Sequence, residues 1–371
     1  FLSFLPLSHA YEHVGGLYFP MTLGAQIYYV QRIDTLVNSM AEVRPTMMTA
    51  VPRLYETMRS RINQSLKNQS NLSKKMFEKT LALGTKRYND PKSLSLLDRL
   101  VDVFCERLVR NKVRARFGGQ LKALVSGGAP LNQDVGIFFT ALGVRILQGY
   151  GQTEASPVIS ANIPSNIQLH TVGPPVRGIE VKTAEDGEIL VRGELVMKGY
   201  WNNPDATIAA IDQDNWLHTG DIGHFDDNGF IVITDRKKDI IVNSGGDNIS
   251  PQRIEGIHCL EEEIGQILVF GDKRPYLTAV IVADEDWYKK WAEDNGKPAD
   301  MEVLSRDKEF LTEIGKAVAI ANEKVSVIEK VRKHIVSPHT FSVGNGQMTP
   351  TLKVRRHAVL REFREQLEAL Y

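Results

Sequence analysis

Cysteine is scarce in this chain, with only Cys105 and Cys259 among 371 residues. They lie far apart and form no metal-spaced cluster, which points to buried thiols in a reducing compartment and away from a disulfide framework. Net charge is missing as well. Lys+Arg and Asp+Glu are 45 each, so no global field favours nucleic acid or an anionic membrane. No apolar run approaches the ~20 residues of a membrane span, and there is no leader pattern. Internal repeats and low-complexity tracts are absent too. What remains is a globular composition, 42% hydrophobic and 24% charged, with length for two or three domains. A cytoplasmic location is expected, with peripheral contact at the inner membrane face left open.

From residue 1 to about 173 the pattern alternates strand and helix. Apolar runs at 1–5, 27–30, 46–50, 121–125 and 144–147 read as strands, and Asp34 caps a helix reaching about Val43. This order predicts βαβ units and a parallel sheet with helices on both faces. A long helical insertion interrupts it over about 53–117. Leu97, Leu100, Val101, Phe104 and Leu108 recur there at helical spacing, which predicts an apolar face and a solvent-directed charged face. Arg107, Arg110, Lys112, Arg114 and Arg116 read as cations complementing a helix C-terminus, with a membrane-surface use the lesser reading. After Gly173-Pro174-Pro175 the pattern turns to β, with hairpins through Asp186-Gly187 and Asp227-Asn228-Gly229. Beyond Arg236 a compact α+β unit begins. It shows a short strand at 239–242, a helix start at Ser250-Pro251, strands at 266–270 and 277–282, helices over about 284–293 and 303–331, and a final helix.

Gln148-Gly149-Tyr150-Gly151-Gln152-Thr153-Glu154 follows the run at 144–147, at the strand end where open parallel sheets bind ligands. The glycines beside Tyr150 would let the backbone approach a flat ligand. Thr153 and Glu154 offer a hydroxyl and a carboxylate, which suit Mg²⁺ on a phosphate. A plain glycine turn closed by a solvated Glu accounts for this heptapeptide equally well. Ser126-Gly127-Gly128-Ala129-Pro130 lies between a strand and a helix, like a nucleotide-binding corner. Its spacing is neither that of a phosphate loop with Lys nor that of a dinucleotide fingerprint. Asp221, in Thr219-Gly220-Asp221, is placed to accept hydrogen bonds from ribose hydroxyls. Asp235-Arg236-Lys237-Lys238-Asp239 closes the β region and, taken alone, reads as a solvated charged turn. Lys353 is a single lysine in a Thr/Pro-turned loop.

With Pro6-Leu7-Ser8-His9 ahead and Thr349-Pro350-Thr351-Leu352-Lys353 behind, these segments resemble the successive motifs of the acyl-adenylate-forming (AMP-binding) enzymes. Among these, the chain is most similar to the long-chain fatty-acid–CoA ligases. The resemblance covers essentially the whole chain; each motif is weakly to moderately specific, but six in the right order are strong. The insertion after Val51-Pro52-Arg53-Leu54-Tyr55 also looks like the long-chain ligases rather than the aryl-acid ligases or luciferases. The implied fold is α/β. An incomplete parallel-sheet adenylation domain (1–236) carries an appended small β-barrel subdomain (174–236), and a smaller mobile α+β C-terminal domain follows (237–371).

The resemblance implies two half-reactions: fatty acid and ATP give acyl-AMP and pyrophosphate, then CoA takes the acyl group and AMP leaves. It further implies that Tyr150 stacks on adenine opposite Gly127, Gly128, Ala129 and Pro130, with Gln148, Gly149, Gly151 and Gln152 completing the floor. Thr153 and Glu154 would hold Mg²⁺ and the α-phosphate, while Asp221 and Arg236 would bind the ribose. Lys353 would serve the adenylation step, and His9 would lie near the acyl carbonyl. For His9 the plainer reading is a strand-end histidine satisfied by backbone. Lys238 matches the hinge, about which rotation would exchange Lys353 for Asn243-Ser244-Gly245-Gly246; there Ser244, Gly245 and Gly246 would meet the pantetheine of CoA.

Two departures stand out. Gln152 replaces the apolar residue found in many members, which should not alter the chemistry. The family's Ser/Thr/Gly-rich phosphate loop belongs ahead of Phe1, and the chain opens without Met on what reads as a strand already under way. The expectation is a C-terminal portion of a longer protein that uses fatty acid, ATP and CoA and has no nucleic-acid partner. Nothing in the sequence sets its subunit number. A fatty-acyl-AMP ligase that loads a carrier protein is the nearest alternative. It is disfavoured because Asp239 runs directly into Ile240-Ile241-Val242, without the inserted segment such enzymes carry. A non-catalytic relative is disfavoured by the joint presence of Glu154, Asp221, Arg236 and Lys353. The 371-residue segment alone is expected to be inactive; its ATP–pyrophosphate exchange should stay at background, and appreciable exchange would contradict the expectation.

Overall fold

Short apolar runs separated by helices can bury both faces only by pairing side by side, and they do so here. The computed structural model describes residues 1–30 and 35–371; Asp34, the helix cap expected from sequence, lies outside the described residues. Strands β1 (Leu2–Ser3), β2 (Tyr28–Tyr29), β3 (Met47–Ala50), β4 (Ala123–Ser126) and β5 (Ile146–Tyr150) form a parallel sheet in the order β2-β1-β3-β4-β5. Strand β6 (Ser160–Ala161) adds to β5 antiparallel, so the chain doubles back beside the strand that carries Tyr150. Both cysteines are free thiols, Cys105 buried and Cys259 partly so.

The insertion is helical: Pro52–Lys67, Asn71–Asn89 and Leu96–Cys105, then a π-type segment Glu106–Arg110 and the helix Asn111–Arg116. Ser95 and Asp98 form a reciprocal capping box that starts the third helix. Its orientation overturns the reading from periodicity. Leu97, Leu100, Phe104 and Leu108 are exposed, whereas Asp98, Asp102 and Glu106 are paired with cations. The reason is Arg110, a fully buried side chain. Its Nε donates to the carbonyl of Ala141 at 2.7 Å and its Nη2 to Asp102 Oδ1 at 2.7 Å. A buried guanidinium needs a carboxylate, and that need turns the acidic stripe inward. The basic cluster is therefore partly an internal ion-pair network. Arg114 and Arg116 do lie in the last turn of the helix Asn111–Arg116, as cations complementing a helix C-terminus.

After the parallel sheet, strands β7 (Glu180–Thr183), β8 (Glu188–Arg192), β9 (Leu217–Phe225) and β10 (Ile231–Arg236) form a curled antiparallel half-barrel in the order β10-β9-β8-β7. Both hairpins fall at the turns expected from sequence. Val172 N–H donates to Ile231 O at 2.8 Å and Ile231 N–H to Gly173 O at 3.0 Å. These bonds join the segment leaving the parallel sheet to the half-barrel, over a core of Ala155, Ile159, Ile189, Val191 and Leu217.

The chain divides into two compact units, Phe1–Ile233 and Thr234–Tyr371. In the second, β11 (Ile241–Val242) pairs with β12 (Asn248–Ile249), and the helix Pro251–His258 starts with Ser250 as N-cap and Pro251 at its first position. Strands β13 (Ile264–Phe270) and β14 (Leu277–Ala283) are antiparallel, and β15 (Val331–Val336) adds to β14 in parallel. Helices Glu285–Asp294, Lys308–Asn322 and Arg356–Glu368 pack around them. The single helix expected over 303–331 is not formed. The Asp307 carboxylate accepts from the N–H groups of Glu309 and Phe310, both at 3.0 Å, and so starts the helix at Lys308. Asn322 ends it: its side chain exchanges two 2.9 Å bonds with the backbone of Val331 and so opens β15.

Removing Arg110 should leave Asp102 with Arg87 as its remaining cation among the described residues and take the buried donor from the Ala141 carbonyl. Arg110→Ala in the intact protein is expected to cost roughly 3–5 kcal/mol, read as a lowered urea midpoint. A midpoint unchanged from wild type would show that the network holds without the guanidinium.

Candidate active site

The C-terminal ends of β4 and β5 point the two glycine-rich segments out of the parallel sheet. After β5 the chain reverses at once, because a Cβ on Gly151 would lie 1.7 Å from the carbonyl oxygen of Pro157. That glycine is therefore required by the chain's own return, quite apart from any ligand. Thr153–Ala155 then forms one 3₁₀ turn, with Thr153 exposed and Glu154 half-buried. Gly127, at the end of β4, donates its N–H to Ala50 O at 3.1 Å and opens the turn that carries Gly128, Ala129 and Pro130.

Two side-chain contacts gather residues far apart in sequence. The Tyr150 hydroxyl donates to Asp221 Oδ2 at 2.7 Å. The Tyr200 hydroxyl donates to Glu154 Oε1 at 2.9 Å, and Met197 N–H to Glu154 O at 2.8 Å. Partial burial, then the Glu154 carboxylate, push the Tyr200 hydroxyl above its ordinary pKa, so it stays a donor. Asp221 is only 5% exposed and lies within β9, whose pairing with β8 is irregular: two residues of β8 span four of β9 between Glu188↔Ile222 and Leu190↔His218. Such a bulge re-aims side chains. Thr219 Oγ1 donates to Ile189 O at 2.7 Å and accepts from Asp221 N–H at 3.1 Å, while Glu188 Oε1 accepts from Gly220 N–H at 2.8 Å.

Beside this cluster, Gln148 Oε1 and Gln152 Nε2 are buried without a hydrogen-bond partner among the described residues. Orphaned amide atoms fit a site that a polar ligand completes. No group of three or more His, Cys, Asp or Glu side chains could hold a metal among the described residues. Thr153 and Glu154 are oxygen donors, the ligand type that suits Mg²⁺. His9 Nδ1 accepts from Tyr11 N–H at 3.2 Å and caps the turn Ala10–Glu12. That bond fixes the neutral ring as the Nε2–H tautomer.

Arg236, Lys238, Ser244, Gly245, Gly246 and Lys353 belong to the second unit. The carbonyl of Arg236 accepts from Asp239 and Ile240 N–H at 2.9 and 3.1 Å, which leaves Lys238 exposed in the turn after β10. Burial raises the pKa of the neighbouring Asp235 carboxyl. In the loop, Asn243 Oδ1 accepts from Gly245 and Asp247 N–H, both at 2.9 Å, and Gly246 adopts φ +86°. The turn itself requires glycine there. Lys353 is locked by Thr349: its N–H donates to Thr349 Oγ1 at 3.0 Å and its carbonyl accepts from Thr349 N–H at 2.8 Å.

Three carboxylate or phenol partners escaped sequence reasoning. Tyr200 and Glu188 lack local pattern, although Tyr200 follows a Lys-Gly pair in a β-rich region. Glu12 is fully buried and accepts from Ser3 Oγ and Thr49 Oγ1, both at 2.5 Å. Burial raises its pKa against the pull of those bonds. Ser3 and Thr49, polar within otherwise apolar strands, were the available hint.

Residues 1–201 match the AMP-binding enzyme family, and residues 238–371 match the AMP-binding enzyme C-terminal domain. The chain belongs to the AMP-binding enzyme family. It is 36% identical to a long-chain-fatty-acid–CoA ligase of Mycobacterium bovis, a match covering 100% of this chain and 62% of that protein. It is 33% identical to long-chain-fatty-acid–CoA ligase 1 of Cavia porcellus, covering 100% of this chain and 54% of the relative. The chain thus spans roughly half to two thirds of the curated relatives it matches. Among solved structures, the A domain of a carboxylic acid reductase from Segniliparus rugosus, in complex with AMP and a co-purified carboxylic acid, has a TM-score of 0.74 at 22% identity. It covers 100% of this chain and 54% of that one, and the likeness shows the fold.

In this AMP-binding enzyme, Tyr200→Phe deletes only the hydroxyl on Glu154. The Mg²⁺ concentration giving half-maximal activity of the intact protein is expected to rise about 3–10-fold, the weight of one solvent-exposed hydrogen bond of about 0.6–1.4 kcal/mol. An unchanged Mg²⁺ titration would show that the bond does not position Glu154.

Proposed function

We propose that this chain carries the adenylate site and the mobile C-terminal domain of an AMP-forming long-chain fatty-acid–CoA ligase, with an α+β C-terminal domain beginning at about residue 237. The observation that carries this reading is the 2.7 Å bond from Tyr150 to Asp221, which joins two motif segments at the end of β5. The acid class is supported by the fatty-acid–CoA ligases that match the whole chain at 33–36% identity.

In the first half-reaction a fatty carboxylate oxygen attacks the α-phosphorus of ATP, and the bond to pyrophosphate breaks. Two anions must approach, so charge has to be neutralised as it develops. The Tyr150 ring stacks on adenine against the wall of Gly127, Gly128, Ala129 and Pro130, with the amides of Gln148 and Gln152 beside it. Its hydroxyl holds Asp221 so that the carboxylate can accept from the ribose, to which Arg236 donates. Thr153 and Glu154, the latter oriented by Tyr200, would hold Mg²⁺ and meet the α-phosphate. When bound, Mg²⁺ supplies neutralisation of the phosphoryl oxygens. Lys353 brings its ammonium to the carboxylate and phosphate oxygens.

In the second half-reaction, rotation about Lys238 withdraws Lys353 and presents Ser244, Gly245 and Gly246 to the pantetheine of CoA. The CoA thiol sulfur attacks the acyl carbonyl, near which His9 lies, its proton passing to solvent as AMP leaves with the bonding pair. The direct run from Asp239 into β11 favours CoA over a carrier protein as acceptor.

The test is incubation of the intact protein with palmitate, ATP, Mg²⁺ and CoA. Palmitoyl-CoA and AMP are expected; acyl-AMP without acyl-CoA, or neither product, would overturn the reading. Lys353→Ala should lower ATP–pyrophosphate exchange about 10²–10³-fold while thioester formation from synthetic acyl-AMP changes by less than about threefold. Equal loss of both steps would refute the exchange of Lys353 for the 243–246 loop.

A further inference from the structure

The helix Leu96–Cys105 and the π-type segment that continues it turn their charge inward and their apolar face outward. Asp98 pairs with Lys86 at 2.8 Å, Asp102 with Arg87 at 3.0 Å and with Arg110 at 2.7 Å, and Glu106 with Arg110 at 3.4 Å and with Arg114. On the opposite side Leu96, Leu97, Leu100, Val103, Phe104 and Leu108 are 50–80% exposed. Arg99 and Arg107 are exposed on the same stretch, where every carboxylate is engaged by a cation, and Lys112 and Arg116 are exposed in the helix Asn111–Arg116 that follows. The balanced charge of the whole chain hides this local asymmetry.

We propose that this stripe docks the protein on an anionic phospholipid surface. An apolar stripe containing an aromatic ring, edged by arginine and lysine, matches the acyl-headgroup boundary of such a bilayer. Charge decides against the other occupants. A second copy meeting through the same face would set Arg99 and Arg107 against their own counterparts, and a purely apolar partner would leave the cations unmatched. Lipid phosphates match the cations while the acyl chains take the leucines. No helix among the described residues is long and apolar enough to cross a membrane, so the contact lies at the surface. The inference goes beyond the ligase reading and stands on the insertion alone.

The experiment is vesicle co-sedimentation of the intact protein, with phosphatidylcholine–phosphatidylglycerol vesicles compared with phosphatidylcholine alone. Binding to the anionic vesicles, weakened by salt, is expected. Leu100→Ser/Phe104→Ser should lower vesicle affinity at least about tenfold without moving the melting temperature, because both side chains point to solvent. Arg99→Glu/Arg107→Glu should abolish the preference for anionic lipid, and it serves as the second probe if the first variant folds poorly. Absence of wild-type binding, or undiminished binding by both variants, would overturn the proposal. So would resistance of Leu100→Cys to thiol labelling without vesicles, since another segment or a second copy would then already cover the stripe. Acyl-CoA formation from palmitate without vesicles is measured in parallel, so failure of the ligase reading registers separately.

Discussion

The hydrogen bond from Tyr150 to Asp221 is the contact on which the first unit's candidate site depends. It spans 71 residues and links the end of the parallel sheet to the middle of β9. The backbone exchange between 172–173 and Ile231 brings the two sheets together, but it sets only their approach. The phenol–carboxylate bond sets the direction of the side chains. Its net contribution to stability is about 1.5–3 kcal/mol at most, as for other bonds to a charged group. Geometry is the larger consequence: a ring pinned by its outer atom and a carboxylate with one oxygen already engaged. The β9 bulge is what makes this possible, because regular pairing would leave the residues around Gly220 on the alternating pleat.

A second constraint acts through glycine. From sequence, Gly151 and Gly246 read as openings for ligand. The structure gives each a reason of its own: at Gly151 the Pro157 carbonyl leaves no room for a Cβ, and at Gly246 the backbone adopts φ +86° in the Asn243 turn. Neither finding removes a ligand from the account. They show that a glycine needed for close chain return and one needed for close ligand approach leave the same trace in a sequence. Gln148 Oε1 and Gln152 Nε2, buried without a partner among the described residues, point to ligand more directly, because burying a polar atom without a partner is costly unless something fills the place.

Where a signal was local, the sequence was legible. The parallel strands, both hairpins and the Ser250-Pro251 helix start follow from runs of four to eight residues and their punctuation. Where the answer depended on a distant partner, it was not. Strand β15 carries Arg332 and Lys333, so its alternation is masked, and it is defined by Asn322 and by β14. Tyr200 and Glu188 acquire meaning only beside Glu154 and Gly220, 46 and 32 residues away. The order of motifs was visible in the residues themselves. Which motif side chains touch one another was not, since that is fixed by the bulge and the reversal after β5.

The insertion carries the same lesson to its energetic end. Periodicity finds the two stripes of the helix Leu96–Cys105 but cannot say which faces in, and the usual presumption that leucine does is reversed by one buried guanidinium. Such an arrangement is not the most stable one available. Replacing a buried ionic network by apolar packing is often neutral or favourable, and exposing six large apolar side chains forgoes their burial. The Arg110 network fixes which stripe faces in, but nothing among the described residues returns the burial that the leucines forgo. A surface that supplies both apolar chains and negative charge returns the forgone burial and matches the arginines that line the stripe.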